Sequence, residues 1–590
     1  MIKKSLKTVD KKRKAVVKTA EKWYERETNL LLLLTGITIL VYIPVLTLGF
    51  TMLDDSIFIV ENQFYNRELS NLYQSFSRGL FNPENDFYYR PVFLVDFILE
   101  SRLFGVNAAG YHFSNLLFHI VCVVLLFRFF KAVGIRQVVS FWLSLIFALH
   151  PVLCQAVAWI PGRNDMLLMI FFLSGFLLSL KYARQGSWLT LLLQGVAFLL
   201  ALFTKETAVI IPVIILFVII FSEKTPWKRW LPLVIVWSVG IIVWLVTRSH
   251  ATLMKRNFTI WELVQNGFER IPALIQYLGK IFFPFNLSVF PAIEHNTIWW
   301  GVLALALLTW LIIISKSYFK VLTILGVIWF ILFLLPVLVV PPSLNDQVFE
   351  HRLYLPIVGI LLILSQTRLF NGFLSEEANE KNIRRATGRH NAVKRYFKPA
   401  IAVFVLLVYT VITFARIDHF KNPVTFWGYA VRDNPTSSYA SMMLGLRQTD
   451  KTEMKRYLMN AYRLNPQEKM LNYLLGRLEV EAGNYKEAEY YLKREISISQ
   501  IPDNYFNLAL VYFNKSNLDS AAWCLERVIE LSPLHPQANH NLSLLYMQLN
   551  RKADAAKLIE TMKQKGLEVP AELKKLLIPV KQVDVFGKDL

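Results

Sequence analysis

"LLLLLTGITILVYIPVLTLGFTMLDD", residues 30–55, is an apolar run that ends on two adjacent carboxylates, Asp54 and Asp55. A run of roughly 20 apolar residues is what a helix needs to cross the hydrocarbon core of a bilayer. The same signal recurs at 109–130, 138–158, 165–182, 188–203, 207–222, 229–247, 298–315, 321–340, 353–369 and 399–415, which predicts eleven spans. With 54% hydrophobic and only 18% charged residues in 590, the chain is too apolar for an average soluble domain. The reading is an all-α polytopic membrane protein. After Arg416 the composition turns polar, so the expected organisation is a basic tail at 1–27, a membrane domain at 28–416, a linker at 417–435, a soluble repeat domain at 436–577 and a tail at 578–590.

Positive residues are retained on the cytoplasmic side of short loops. The basic tail "MIKKSLKTVDKKRK" is therefore cytoplasmic, and alternation from there keeps Arg128, Lys131 and Arg136, then Lys181 and Arg184, then Lys224, Lys228 and Arg229, then Lys316 and Lys320, and finally 384–398 on that face. The opposite face receives Asp54 and Asp55, a first long loop to about residue 108, a second from about 248 to 297, and the C-terminal domain. The net charge of +21 is concentrated in cytoplasmic segments, where topology and anionic lipid account for it. Without stacking aromatics or a groove-reading motif it does not indicate nucleic acid. The N-terminus lacks the short apolar core and small-residue site of a cleaved signal, so the first span is expected to stay. Cys122, Cys154 and Cys524 form neither a disulfide framework nor a zinc pattern.

The polar part repeats. "LG" at 444–445, "LG" at 475–476, "LA" at 508–509 and "LS" at 542–543 recur with a period close to the roughly 34 residues of tetratricopeptide helix pairs. Tyr512 and Tyr546 keep the phase, Ala488, Ala521 and Ala555 take the small position of the second helix, and Pro466, Pro502 and Pro536 punctuate the units. Four such pairs, with "PAELKKLL" at 570–577 as a capping helix, make an α-solenoid whose usual work is docking other proteins.

Cations on the translocated side run against the topological bias and need a reason. They occur in separated places: Arg90 in "YYRPV", Arg163 with Asp165 in "WIPGRND", Lys205 with Glu206 in "FTKET", and His351 and Arg352 in "FEHRLYLP". All are predicted at one interface, facing Asp54 and Asp55. That set suits transfer of a sugar from a lipid-linked phosphate: a carboxylate accepts the proton of an attacking hydroxyl, and cations stabilise the charge on the departing phosphate. The competing reading has the acids solvated in a loop and the cations snorkelling to headgroups.

With these motifs in order, the sequence resembles the TMTC-type membrane proteins of the GT-C glycosyltransferase superfamily, relatives of the protein O-mannosyltransferases. The resemblance is carried by "LDD" at 53–55, "YRPV" at 89–92, "GYHFSNLLFH" at 110–119, "LHPV" at 149–152, "AVAWIPGRND" at 156–165, "TKETAV" at 204–209, "HRLYLP" at 351–356 and "FW" at 426–427. It implies a GT-C membrane core, a repeat domain on the extracytoplasmic side, and transfer of a hexose, typically mannose, to Ser or Thr. Carried over, it makes Asp54 and Asp55 the catalytic acids, with Asp54 as base and Asp55 in support. Arg90, Arg163, Asp165, Lys205, Glu206, His351, Arg352 and Tyr354 become donor-phosphate or substrate contacts. His351 departs from the acidic or neutral residue expected before that arginine, and the repeat array is shorter than in eukaryotic relatives. The implied co-substrate is a polyprenyl- or dolichyl-phosphate sugar, with a divalent cation an open question and no metal ligands assigned. The implied partners are the membrane lipid donor and acceptor proteins held by the repeats. A bacterial inner membrane with periplasmic repeats is expected, or an endoplasmic reticulum membrane with luminal repeats in a eukaryote.

Two further segments carry expectations. Leu69, Leu72, Tyr73, Phe76 and Leu80 follow helical spacing, which predicts an amphipathic helix in the first loop, either flat on the membrane beside the site or packed against the protein. Residues 271–285 are apolar but short, which predicts a re-entrant or interfacial helix. His112 and His119 lie two turns apart without a carboxylate or Cys at their spacing and read as polar contacts inside the bundle. Alternatives of other classes are a GT-C enzyme acting on a lipid or polysaccharide, and an inactive membrane-tethered scaffold.

Overall fold

The computed structural model describes residues 26–81, 88–252, 259–293, 298–317, 320–339, 347–371 and 389–569. It divides into two compact units, Met1–Asp433 and Asn434–Leu590. Among the described residues there are helices and no strand beyond one isolated bridge between Ala292 and Gln347.

Among the described residues of the first unit, six helices are long and apolar enough to cross a membrane: Glu27–Thr47, Ala108–Ala132, Ile160–Gln185, Trp227–Ala251, Val321–Val339 and Ala400–Phe420. Residues 138–158 form not one rod but Gln137–Leu149 and Pro151–Ala158, bent by 52°. The cause is local. Pro151 has no N–H to give to the preceding turn and disfavours helical backbone at His150. His150 Nδ1 instead accepts from Val152 N at 3.2 Å, and its Nε2 reaches Ile281 O at 2.8 Å. Four other expected spans are shorter apolar helices: Trp188–Thr204, Glu206–Ser222, Ile298–Ile314 and Pro356–Ser365. The eleven apolar runs are thus all helical, and six or seven reach spanning length by themselves.

Glycine lets pairs of these helices touch backbone to backbone. A Cβ on Gly301 would lie 2.0 Å from Ile275 O, and Cβ atoms on Gly326 and Gly359 would each lie 2.4 Å from the other residue's carbonyl. No flexible side chain can yield there. Gly359→Ala is expected to destabilise the unit by about 1–3 kcal/mol through overpacking, read as a lowered Tm in detergent; an unchanged Tm would mean the two helices are not in contact.

Two expectations need correction. Residues 417–435, expected as a linker, form a turn at Asp418–Phe420 and a helix at Pro423–Asp433 that buries Phe426, Trp427 and Ala430. The aromatic content of "TFWGYA" is core, not spacer. The first loop has only the single turn Asn71–Gln74 where an amphipathic helix was expected. Asn71 Nδ2 donates to Tyr65 O at 2.7 Å and Ser75 Oγ to Asn71 O at 2.9 Å, side-chain bonds that compete with helix continuation. Leu80 is buried and Tyr73 exposed, so the apolar positions do not share one face.

The described residues of the second unit form four helix pairs: Ser438–Gly445 with Lys451–Leu464, Leu471–Glu481 with Tyr485–Ile498, Pro502–Asn514 with Leu518–Leu531, and Pro536–Gln548 with Lys552–Gln564. Ala488, Ala521 and Ala555 are buried where facing helices meet. The equivalent tyrosines reach back to the preceding helix, Tyr512 Oη to Glu489 at 3.2 Å and Tyr546 Oη to Glu526 at 2.8 Å. The expected capping helix at 570–577 lies outside the described residues, as do the tail at 578–590 and residues 1–25 of the basic tail.

Candidate active site

The turn after the first span is held by one of the two acids and presents the other. Asp55 is buried and folds back on its own loop: its carboxylate accepts from Thr51 N at 2.5 Å, Leu53 N at 3.0 Å and Thr51 Oγ1 at 3.1 Å. Within that turn Met52 has φ +57°, a left-handed conformation that a non-glycine side chain holds only under constraint. A π-helical segment, Ser56–Glu61, follows directly. Asp54 is half-buried, and its carboxylate has no hydrogen-bond partner among the described residues. Burial first and the Asp55 charge second raise it to about 7, against the pull of Arg90. Burial also raises Asp55, opposed by its bonds from Thr51 and Leu53. The two acids differ in their surroundings: Asp55 is tied into the turn, and Asp54 has no hydrogen-bond partner among the described residues.

Arg90 is the cation that acts on Asp54, and it links the acid to a wider charged group. Arg90, at the start of helix Pro91–Phe104, grips Glu206 with Nε and Nη2 at 3.0–3.3 Å. With the Asn164 amide oriented to satisfy both its groups, its oxygen accepts from Arg90 Nη1 at 2.7 Å and its nitrogen donates to Thr204 O at 2.8 Å. Lys205 pairs with Asp165 at 2.7 Å, leaving the other carboxylate oxygen of Asp165 buried without a partner. Arg352 donates Nη1 to Gln347 O at 2.7 Å and has no carboxylate partner among the described residues. His351 completes the group. Burial, then the charges of Lys205, Arg352 and Arg90, hold it well below its ordinary value, so the ring is neutral, and its Nδ1 is buried without a partner. Trp159 and Phe349 flank it at 5.1 and 5.3 Å. Five sequence-distant segments are thereby linked: Asp54 to Arg90, Arg90 to Glu206, Asp165 and Lys205, and His351 to Lys205, Arg90 and Arg352.

Arg163 and Tyr354 belong elsewhere. Arg163 is completely buried, with Nη1 on Asp96 at 2.8 Å and Glu100 at 2.5 Å, Nε on Asn115 at 2.8 Å and Nη2 on Tyr111 O at 2.7 Å. Its donors are consumed by the fold, and no face is open to a phosphate. Tyr354 lies inside the bundle, its Oη 2.7 Å from His119 Nδ1, while His119 Nε2 is 3.2 Å from Ala148 O. His112 likewise reaches Gly49 O at 3.3 Å. Both histidines are bundle contacts, as their spacing indicated, and no group of three or more potential metal-ligating side chains occurs among the described residues.

The sequence reading missed the groups that hold the site's frame. Glu350, fully buried, accepts from Lys280 and Ser288 N at 2.8 Å each and from Arg416. Gln155 Oε1 accepts from the backbone N–H of Glu350 and His351 at 2.9 and 3.2 Å. The position of His351 and Arg352 is thus fixed by the residue before them. Signals existed: Lys280 is a lone charge in an apolar stretch, and Asp96 and Glu100 stand one turn apart in a largely apolar helix.

Two family models match parts of the chain. Residues 91–251 match a family described as dolichyl-phosphate-mannose-protein mannosyltransferase, and residues 506–566 a tetratricopeptide repeat. A protein O-mannosyl-transferase of Caenorhabditis elegans is 26% identical over 364 residues, covering 56% of this chain and 50% of that protein. The protein O-mannosyl-transferase TMTC1 of Mus musculus is 36% identical over 110 residues, 18% of this chain and 12% of that one. The chain therefore spans half or less of the length of these relatives. An Archaeoglobus fulgidus oligosaccharyltransferase tethered with an acceptor peptide superposes at a TM-score of 0.38, with 13% identity over 74% of this chain and 59% of that one, a likeness too low to carry an argument. The class is a helical membrane protein with tetratricopeptide repeats. Within that class, the resemblance to TMTC-type O-mannosyltransferases read from the ordered motifs is borne out by the two profiles and both relatives.

Proposed function

We propose that this chain is a glycosyltransferase that moves a hexose, mannose by analogy with its relatives, from a polyprenyl-phosphate sugar to Ser or Thr hydroxyls of proteins. The observation that carries the reading is Asp54: a half-buried carboxylate without a partner, raised to about 7, beside cations contributed by distant segments. In the step proposed, the acceptor oxygen attacks the anomeric carbon as its proton passes to Asp54. The bond from that carbon to the phosphate oxygen breaks, and its electron pair leaves with the lipid phosphate. The donor is a phosphodiester with one negative charge; the leaving monoester carries a second as it departs. Arg352 faces that charge without an acid of its own, and Arg90 and Lys205, neutralised by Glu206 and Asp165, add directional N–H groups. Direct displacement inverts the anomeric centre. The repeats are taken to hold the acceptor polypeptide on the extracytoplasmic side, periplasmic in a bacterium.

The test is incubation of the purified full chain in nanodiscs with a panel of polyprenyl-phosphate monosaccharides and Ser/Thr peptides, with and without a divalent cation, read by mass spectrometry. Addition of a hexose supports the reading, sugar on lipid alone moves it to a lipid-modifying enzyme, and no transfer with any donor returns it to a scaffold.

The pH profile follows from Asp54. Only its ionised form accepts a proton, so transfer should rise with pH to a plateau above about 7 and be about 100-fold lower two units below. Stability runs the other way. A carboxyl raised in the folded state favours the protonated form, so its contribution is present below the unfolded value and is lost as pH rises through about 7. A flat profile between pH 5 and 8 would remove Asp54 as the base.

A further inference from the structure

Helix Ile260–Glu269, in the second long loop, has three faces rather than two. Thr259 and Glu262 form a reciprocal capping box that fixes its start. One side turns inward at Leu263, Gly267 and Arg270. A second strip leaves Trp261 74%, Val264 42%, Phe268 69% and, just beyond the helix, Ile271 43% exposed. These positions recur at i, i+3, i+7 and i+10 and form one stripe. A third strip carries Glu262, Gln265 and Glu269, all exposed, with Gln265 donating to Glu269 at 3.1 Å.

An apolar and an acidic strip side by side, both exposed among the described residues, cannot both be content in water or in hydrocarbon. The boundary between the two satisfies both. The depth of the helix is set by its anchor: Arg270 is buried and donates Nη1 at 3.2 Å to Val337 O, in the last turn of the spanning helix Val321–Val339. The helix therefore lies where that span leaves the membrane. The next helix, Ile271–Phe282, ties it to the side of the candidate site, because Tyr277 Oη donates to Phe349 O at 3.1 Å and Lys280 pairs with Glu350, the residue before His351. Beyond that helix, Phe285 (66% exposed) and Trp299 (76%) add aromatic surface of the kind enriched at bilayer interfaces.

We propose that helix Ile260–Glu269 lies in the plane of the bilayer on the side of the candidate site, with Trp261, Val264, Phe268 and Ile271 inserted at the headgroup–acyl boundary and Glu262, Gln265 and Glu269 in water. Its occupant is phospholipid, and the inference does not depend on the chain being an enzyme.

The experiment is site-directed spin labelling of the full chain in vesicles of phosphatidylethanolamine and phosphatidylglycerol. Val264→Cys and Phe268→Cys probe the apolar strip, and Gln265→Cys and Glu269→Cys the acidic one. The native Cys122, Cys154 and Cys524 are buried, and the unsubstituted chain gives the labelling background. Labels at 264 and 268 should be relaxed preferentially by oxygen, at a depth of about 5–10 Å, and labels at 265 and 269 by a water-soluble nickel chelate. Equal access of the chelate to all four would overturn the proposal. So would exclusion of both reagents from 264 and 268, which would mean that protein, an acceptor or a second copy, covers that strip.

Discussion

Asp54→Asn is expected to lower sugar transfer by about 10²–10⁴-fold, the usual contribution of a positioned general base, while Tm at pH 7 and above equals or exceeds that of the parent chain, because the neutral amide avoids ionising a buried carboxyl. Asparagine is nearly the same size and shape, and the Asp54 carboxylate has no partner whose loss would loosen the turn. What disappears is the carboxylate proposed to take the hydroxyl proton. The contrast is Asp55. Its carboxylate is the acceptor for Thr51 N and Leu53 N, so Asp55→Ala orphans two backbone donors around the left-handed Met52. Loss of one buried acceptor costs about 1–3 kcal/mol, so this variant should lose both stability and transfer. The measurement is the peptide transfer assay paired with thermal unfolding in the same detergent. Should Asp54→Asn retain parental transfer, or Asp55→Ala lose transfer without any drop in Tm, the two roles would have to be reassigned.

Arg163→Leu carries the larger structural effect. It leaves the carboxylates of Asp96 and Glu100 in a buried site without their shared cation, together with the Tyr111 carbonyl and the Asn115 amide oxygen. Breaking a buried pair from one side costs about 3–5 kcal/mol, because the remaining charge stays desolvated. The variant should show a sharply lowered Tm or fail to accumulate. Neutralising the acids in the same chain, with Asp96→Asn and Glu100→Gln, should recover much of that loss, as coupled sites do in a mutant cycle. If Arg163 instead held the donor phosphate, the triple variant would regain Tm yet show a raised KM for the lipid donor. The buried geometry predicts a KM within a few-fold of the parent in whatever fraction folds. Arg352→Gln serves as the comparison, with Tm preserved and donor KM raised.

Much of the candidate site was legible because charge is rare in an apolar chain. Arg90, Lys205, Glu206, Asp165, His351 and Arg352 stood out as ions where hydropathy left none expected, and they do come together. The same signal misassigned Arg163. A cation at the end of a span looks alike whether it faces a ligand cavity or two acids on a neighbouring helix. What separates the cases is that Asp96 and Glu100, over 60 residues away in sequence, project onto it, and no periodicity in either segment shows that. Glu350 was overlooked for the opposite reason. It sat among quoted motif residues as an ordinary acid, and only its burial between Lys280 and Arg416 shows that it sets the loop carrying His351.

The amino-acid order alone determined that the chain is helical, that its first two-thirds consist of apolar helices, and that the remainder repeats as tetratricopeptide pairs. These are local properties: run length, a period of helix pairs, and prolines that break backbone hydrogen bonding wherever they stand. The tertiary structure decided which of two adjacent aspartates is free, which arginine is consumed by the fold, how sharply residues 138–158 bend, and that 417–435 is packed helix rather than spacer. The arginine and the packed helix depend on groups distant in sequence meeting away from water, whereas the bend and the held aspartate are made by near neighbours, Pro151 beside His150 and Thr51 with Leu53 beside Asp55, whose bonds exist only once the turn is folded.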